Sequence, residues 1–263
     1  MDKKDTIKEK LINELTACLD EQPVSYWQDP LLGFADANHP YVQGLRKTVH
    51  PLHQMPCDVL EDATVVIVYF LPFAKSVPMG NSKGLISSEE WAAAYETTNA
   101  LFPVINRRLS ELIEGEGFKA RPAPEGSVFY RDDIISRWSF RHLAYAAGMG
   151  TFGLNNMLIT EKGCAGRLNG LVSDIPAKPG LPLKEEACLY KRNGSCGLCV
   201  KKCPSGALST EGFDRKLCYE MCLENAAIYR SFGSSYSSED DPDPGSEVCG
   251  KCLCGCPCTC SRP

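Results

Sequence analysis

The chain has 263 residues, of which 43% are hydrophobic, enough for one large domain or for a large domain and a small one. Its formal net charge of −5 argues against nucleic acid and membrane surfaces as partners, since both attract basic faces. We see no signal peptide and no apolar run of bilayer length, which predicts a cytoplasmic protein that does not enter a membrane.

The first elements follow from hydrophobic patterning. Periodicity predicts a helix over residues 4–20, followed by a loop rich in Pro, His and Gly over residues 23–56. The continuous apolar, β-branched run 64–71 predicts a buried strand. Ser87, with a glutamate three residues later, forms a capping-box pattern that predicts the start of a long helix ending near Gly115.

Shorter elements come next, and then the composition changes. We predict a helix over residues 136–147, and strands over residues 118–121, 156–160 and 168–174. This mixture predicts an α+β domain over residues 1–178. From there Cys, Gly, Lys and Ser dominate, which predicts a second domain over residues 179–263 with a flexible insertion at 231–247.

Twelve of the fifteen cysteines lie in this last part of the chain, and six of them form two similar strings. These strings are Cys196-x-x-Cys199-x-x-x-Cys203-Pro and Cys249-x-x-Cys252-x-x-x-Cys256-Pro. Thiolates two residues apart bind one iron–sulfur cube, whereas the cysteine before proline binds the other cube in two-cluster ferredoxins. The sequence therefore predicts two [4Fe–4S] clusters with crossed ligation.

Each cube needs four thiolates, so each string needs a further ligand. Asn193 stands where another cysteine would precede Cys196, and Cys188 is the nearest substitute upstream. We predict that the first cluster is bound by Cys188, Cys196, Cys199 and Cys256, and the second by Cys203, Cys218, Cys249 and Cys252. Three nearby cysteines are alternatives to Cys256: Cys254, Cys258 and Cys260.

Other uses of the cysteines fit the sequence less well. Two Cys₄ zinc sites would not explain the proline after each string. A secreted disulfide scaffold would need an export signal. We predict no metal-binding role for the remaining cysteines, which are Cys18, Cys57, Cys164 and Cys222.

A glycine-rich loop, AGMGTFGLNN, spans residues 147–156. Glycines allow the backbone to approach a bulky ligand closely. The loop follows a predicted helix rather than a strand, which excludes a dinucleotide fingerprint, and no Gly-Lys-Ser/Thr follows, which excludes a P-loop.

From about residue 45 to 257 the chain resembles the epoxyqueuosine reductase and reductive dehalogenase group. The likeness rests on Ala-Gly-x-Gly-x-x-Gly-x-Asn-x-x-Leu-Ile at 147–159, on residues 163–174 and on the cysteine strings, with residues 66–72 and 94–99 also fitting. It implies a flavin-free nitroreductase-like domain that binds cobalamin, followed by a ferredoxin-like module. Electrons would pass from cluster to cluster to cobalt. The resemblance is to a short member, without the helical-repeat domain of many epoxyqueuosine reductases.

The resemblance also implies site residues. Cobalamin contacts are expected from Thr98, Asn99, Gly148, Gly150, Gly153, Asn155, Asn156 and Leu158. Epoxyqueuosine reductases carry an acidic proton donor at a position that falls near Ile134 here, beside Asp132 and Asp133. Our candidate catalytic residues are Tyr130, Asp133 and His142.

We therefore expect a cobalamin-binding redox protein that passes low-potential electrons to cobalt, reducing Co(II) to Co(I) for a corrinoid methyltransferase system. Its partners would be a redox or corrinoid protein and a low-potential electron donor. One alternative is a reductase, like epoxyqueuosine reductases or dehalogenases, of a small or tRNA-bound substrate. Two others are a cobalamin carrier or chaperone and a cluster-only electron carrier.

Overall fold

A computed structural model describes residues 3–123, 129–130, 133–233 and 245–263. The chain forms two compact units, each assembled from three separated stretches. The first unit contains Met1–Pro72, Phe102–Thr151 and Leu168–Glu185. The second contains Phe73–Leu101, Phe152–Arg167 and Glu186–Pro263.

Helices and strands mix along the chain, which confirms the predicted mixture of the two. The helices are α1 (Lys3–Asp20), α2 (Pro40–Gln43), α3 (Leu45–Thr48), α4 (Pro56–Val59), α5 (Ser76–Gly80), α6 (Glu89–Gly115), α7 (Phe140–Ala146), α8 (Leu189–Asn193), α9 (Leu198–Lys201) and α10 (Arg215–Ile228). The strands are β1 (Leu31–Asp36), β2 (Val65–Pro72), β3 (Ala120–Pro122), β4 (Phe129–Tyr130), β5 (Ile135–Ser136), β6 (Gly150–Phe152), β7 (Leu158–Thr160) and β8 (Gly166–Ser173). Two 3₁₀ turns cover Arg230–Phe232 and Lys251–Leu253.

A four-stranded sheet in the order β1-β2-β8-β3 forms the core of the first unit. β1 runs antiparallel to β2, with Leu31 opposite Phe70 and Asp36 opposite Val65. All eight residues of β2 are buried, as expected for a strand covered on both faces. The strand predicted over residues 64–71 is therefore confirmed, within one residue at each end.

The stretch predicted as a loop, residues 23–56, contains β1 and two short helices, so that prediction was wrong. Because Gly33 interrupts the apolar pattern of β1, the sequence pattern did not predict this strand. A Cβ on Gly33 would lie 2.7 Å from Cγ of Met149. The strand tolerates the glycine because the methionine side chain fills the space that a side chain at residue 33 would occupy.

The long helix predicted from Ser87 begins slightly later, at Glu89. Ser88 is its cap, because the Ser88 Oγ accepts a hydrogen bond from the backbone N–H of Trp91 at 3.3 Å. The predicted cap, Ser87, is buried and makes other bonds. Pro103 lies inside the helix, close to the point where the chain passes from the second unit to the first.

Other predicted boundaries shift by a few residues. The helix predicted over residues 136–147 is shorter, since Ile135–Ser136 pairs as a strand with Phe129–Tyr130. The three short strands occur near their predicted places, as β3, β7 and β8. Most of the predicted insertion, residues 234–244, lies outside the described residues.

Candidate functional site

The predicted cysteine ligands lie on short helices and turns of the second unit. Cys188 precedes α8, Cys199 lies in α9 and Cys218 lies in the first turn of α10. Asp214 caps α10, where its carboxylate accepts hydrogen bonds from the backbone N–H groups of Lys216 and Leu217 at 2.9 and 3.1 Å. Local backbone structure thus fixes where these cysteines stand.

Five cysteines line one cavity in the second unit, which Gly153, Leu154 and Asn155 of the glycine-rich loop also line. They are the four predicted ligands of the first cluster, together with Cys258: Cys188, Cys196, Cys199, Cys256 and Cys258. Burial, with smaller effects from the neighbouring Cys258, Cys188 and Cys196, raises the pKa of Cys199 to about 11. We call the four predicted ligands the first thiol group.

The four ligands predicted for the second cluster also lie together. Burial raises the pKa of Cys252 well above its usual value, and the thiols that add most to this are Cys249, Cys218 and Cys203. Burial, Cys218 and Cys203 likewise raise the pKa of Cys249 to about 11. We call these four the second thiol group. Cys203 belongs to the first string in sequence but lies beside the cysteines of the second string in the structure. Metal ligation by either group stays a prediction.

Both thiol groups suit a bound cationic cluster. Sulfur anions held this close in a buried site repel one another, and a cationic metal centre removes that penalty. Among the described residues, no group of three or more Cys, His, Asp or Glu side chains is arranged to hold a single metal ion.

Hydrogen bonds from polar side chains hold the second cysteine string in place. Asn81 donates to the Cys249 carbonyl at 2.9 Å and to the Cys254 sulfur at 3.5 Å. Lys251 is only 3% exposed, and its ammonium donates to the carbonyls of Asn81 and Lys83 at 3.1 and 2.8 Å. A buried ammonium beside the second thiol group would lower the electrostatic cost of a negatively charged site.

Two further residues hold this segment through hydrogen bonds that we did not expect from the sequence. The Ser87 hydroxyl donates to the Cys249 carbonyl at 2.9 Å. The Asn155 amide donates to the Cys252 carbonyl at 3.0 Å. Asn155, predicted as a cobalamin contact, thus also links the glycine-rich loop to the second string.

Gly250 provides a sharp test of this packing. It has a left-handed backbone, with φ of 67°, and an added Cβ would lie 2.2 Å from Cζ2 of Trp91. We expect Gly250→Ala to lower the free energy of unfolding by about 3 kcal/mol, from the left-handed penalty and overpacking together. Chemical denaturation of the chain, followed by tryptophan fluorescence, measures this loss.

Gly84 is the matched control, because its φ is also 67° but nothing lies within 4 Å of an added Cβ. Gly84→Ala should cost only the backbone term, about 1 kcal/mol. Equal losses in the two variants would contradict close packing between Gly250 and Trp91.

Two pairs of cysteines lie next to each other. Cys164, predicted as a spare thiol in a turn, has Cys258 as its neighbour, and this contact together with burial raises the pKa of Cys164 well above its usual value. Cys222, predicted to bind no metal, lies one helical turn after Cys218 on α10. The sequence carries no signal for the first pair, whose members are far apart in the chain.

The predicted cobalamin contacts divide between the two units. Gly148 and Gly150 belong to the first unit. An added Cβ on Gly148 would lie 2.4 Å from the Leu181 carbonyl oxygen, and one on Gly153 would lie 2.5 Å from Oδ1 of Asn155. Both glycines are therefore required by packing within the chain.

The remaining predicted contacts lie in the second unit, and two have internal partners. Thr98 is buried and donates to the Ala94 carbonyl of its own helix. The Asn99 side-chain oxygen accepts two hydrogen bonds from Arg167, at 3.1 and 2.8 Å. Asn156 has a left-handed backbone, and Leu158 is buried in β7.

A groove of about 590 Å³ runs along α6 in the described part of the second unit. It is lined by Ala93, Glu96, Thr97, Asn99, Ala100, Phe232 and Gly233. Its lining combines small apolar side chains and Phe232 with the Thr97 hydroxyl, the Asn99 amide and the Glu96 carboxylate. Among the predicted contacts, Asn99 is the one that lines this groove.

The carboxylate of Asp133, a candidate catalytic residue, lies close to two other titratable side chains. One carboxylate oxygen, Oδ2, lies 3.1 Å from both the His50 Nε2 and the Arg137 Nη2. The other, Oδ1, is buried and has no hydrogen-bond partner among the residues that the structure describes. We had not predicted His50 as its partner.

The other two candidate catalytic residues are His142 and Tyr130. His142 Nδ1 lies 2.7 Å from the Ser139 Oγ. Burial, with smaller effects from Arg141 and His53, lowers the pKa of His142 to about 4, so this imidazole is neutral near pH 7. Tyr130 lies in β4, and Asp132 lies outside the described residues.

Comparison with known proteins gives the following likenesses. No model of a known protein family matches the chain. A curated epoxyqueuosine reductase of Listeria monocytogenes serovar 1/2a is 31% identical over 156 residues, which are 58% of this chain and 36% of that protein. The chain therefore spans about a third of the length of the curated relatives it matches.

Solved structures share the fold. The crystal structure of an epoxyqueuosine reductase with an epoxyqueuosine-modified tRNA stem loop has a TM-score of 0.59 and 17% identity, covering 97% of this chain and 65% of that one. The predicted resemblance to the epoxyqueuosine reductase and reductive dehalogenase group is confirmed. A catabolic reductive dehalogenase reaches a TM-score of only 0.46, over 68% of this chain and 23% of its own, which is too low to support an inference. Within the described residues, no helix is long and apolar enough to cross a membrane.

Proposed function

We propose that this chain is a reductase that uses two [4Fe–4S] clusters and a corrinoid. A nitroreductase-like domain over residues 1–178 and a ferredoxin-like module over residues 179–263 would divide the work. The observation that carries the proposal is the pair of thiol groups, each with four cysteines. The likeness to epoxyqueuosine reductases supports it.

The residues would have distinct tasks. The first thiol group would bind one cluster and the second the other, while Asn99 and the groove along α6 would contact the corrinoid. When bound, the clusters supply single low-potential electrons and the corrinoid supplies a cobalt centre for the substrate chemistry. Lys251 and Asn81 would hold the second string rigid during electron transfer.

Asp133 would supply the proton that reduction of an organic substrate requires. His50 lies within proton-transfer distance of its carboxylate, at 3.1 Å. Arg137, at the same distance, would orient the carboxylate. Oδ1, which has no hydrogen-bond partner among the residues that the structure describes, is the atom that would present the proton.

Reduction of an organic substrate is better supported than our first expectation, reduction of Co(II) for a methyltransferase system. The relatives are named as epoxyqueuosine reductases, and none of the names refers to methyl transfer. One relative was solved with a tRNA stem loop, which weighs against our prediction that nucleic acid is not a partner.

Anaerobic reconstitution with iron, sulfide and hydroxocobalamin tests the cofactors. We expect about eight irons per chain, paramagnetic signals from two reduced clusters, and one corrinoid that stays bound through gel filtration. Stoichiometric zinc with no visible absorption would contradict the proposal, as would clusters without corrinoid binding.

Turnover then tests the substrate class. With a strong chemical reductant, the loaded protein is offered an epoxyqueuosine-bearing tRNA stem loop, the free epoxyqueuosine nucleoside or a halogenated phenol. Reduction of any of the three supports a reductase. Rapid reduction of a separate corrinoid protein, with none of the three consumed, would restore the methyltransferase role.

A further inference from the structure

A turn in the second unit is bonded to the segment that follows the second string. The turn closes through a hydrogen bond from the Gly163 N–H to the Thr160 carbonyl at 3.0 Å. Just after it, the Cys164 N–H donates to the Cys258 carbonyl at 2.9 Å, and the Ala165 N–H donates to the Thr259 carbonyl at 3.0 Å. Two segments far apart in sequence are thus held side by side.

Gly163 makes this close approach possible. Its φ is +80°, and an added Cβ would lie 2.3 Å from the Thr259 carbonyl oxygen and 2.6 Å from the Cys260 nitrogen. Any other residue would push the turn away from the segment. The separation between Cys164 and Cys258 is therefore set by backbone on both sides.

This arrangement suits the formation of a disulfide. The backbone hydrogen bond of 2.9 Å between the Cys164 N–H and the Cys258 carbonyl brings the two residues into direct contact, as a disulfide requires. Their side chains are neighbours. Cys164 is 4% exposed, whereas Cys258 is half-buried and lines the cavity of the first thiol group.

We propose that Cys164 and Cys258 form a reversible dithiol–disulfide site, with Cys258 as the attacking thiol and Cys164 as the resolving thiol. The accessible sulfur of Cys258 would attack an incoming disulfide and release one thiol. Cys164 would then attack the mixed disulfide at Cys258 and release the second thiol. The incoming disulfide gains two electrons and two protons, and the cysteine pair loses the same number.

The assignment rests on the proposed cluster ligands, because Cys258 is available only if Cys188, Cys196, Cys199 and Cys256 complete the first cluster. The site is then a two-electron thiol centre beside a one-electron cluster. Low-molecular-weight disulfides, such as oxidised glutathione, are the chemical class that it would accept.

The test incubates the reconstituted protein with oxidised glutathione under argon. The thiols are then trapped with N-ethylmaleimide in acid, and the digest is mapped by mass spectrometry. We expect a cross-linked peptide joining Cys164 to Cys258, which excess dithiothreitol removes. Cys164→Ser should instead retain one glutathione on Cys258. Cys260→Ser is the matched control in the same segment and should give the unaltered cross-link.

Iron analysis of Cys258→Ser separates this proposal from the proposed function. About eight irons per chain without the cross-link support a thiol site beside an intact cluster. A fall to about four irons would make Cys258 a cluster ligand and overturn the proposal, leaving the reductase intact. If the unaltered chain bound no iron, the proposed function would fail, and the peptide map would still decide whether Cys164 and Cys258 form a disulfide. Absence of the cross-link in the unaltered chain also overturns the site.

Discussion

Replacing Cys203 with alanine is expected to remove the second cluster and spare the first, although Cys203 belongs to the first string. The reason is proximity: Cys203 acts electrostatically on Cys249 and Cys252, two members of the second thiol group. Iron should fall from about eight to about four atoms per chain. Iron and sulfide analysis, with paramagnetic resonance of the reduced protein, measures the loss.

Cys222→Ala is the matched control for this variant. Cys222 is also a cysteine beside the second thiol group, since it lies one helical turn after Cys218 on α10, but it is not a predicted ligand. Its replacement should leave both clusters in place. If Cys203→Ala lost the first cluster and kept the second, the crossed ligation would be wrong.

Asp133→Asn should slow substrate reduction by about 100-fold, at the lower end of what a positioned proton donor contributes. The amide keeps the shape of the side chain and removes the proton that it could transfer. Iron content and corrinoid binding should not change, so the loss would be confined to turnover. Single-turnover reduction in the fully loaded protein measures it.

Asp62→Asn is the control, because Asp62 also pairs with a cation of the first unit, the Lys119 ammonium at 2.9 Å, but it is exposed. This change should leave the rate within about twofold, since exposed ion pairs contribute little. Unchanged turnover in Asp133→Asn would exclude Asp133 as the proton donor and leave His142 and Tyr130 as the candidate donors.

Sequence reasoning worked best where one residue type decides the chemistry. The two cysteine strings and the proline after each predicted six of the eight thiols, to which Cys188 and Cys218 were added as the fourth ligands. Each set of four has neighbouring members in the structure, while metal binding by either set stays a prediction. Ligand spacing is dictated by the geometry of a cubane, so it leaves a mark on sequence. Strand β2 was found for a similar reason, since a fully buried strand needs a continuous apolar run.

The sequence failed where long-range packing decides the outcome. β1 is a strand because it pairs with β2 and because Met149 fills the space beside Gly33. Neither fact is visible in residues 23–56 alone. The pairing of His50 with Asp133 is likewise hidden, because it joins residues more than eighty positions apart.

The glycines also show that long-range packing is hidden from the sequence. A glycine-rich loop suggested room for a ligand, yet Gly148 and Gly153 are required by atoms of the chain itself. The sequence does not show that Gly250 is constrained, although an added Cβ there would meet Trp91. Backbone conformation and close approach become visible only in three dimensions.

The interleaving of the second unit limits how this protein can be dissected. Its cysteine strings depend on Asn81, Ser87 and Asn155, which come from two earlier stretches of sequence. A fragment beginning at residue 186 would leave the carbonyls of Cys249 and Cys252 without these donors. Chimeras that graft the cysteine-rich end onto another protein would therefore need all three stretches, because residues 186–263 alone lack the donors that hold the second string.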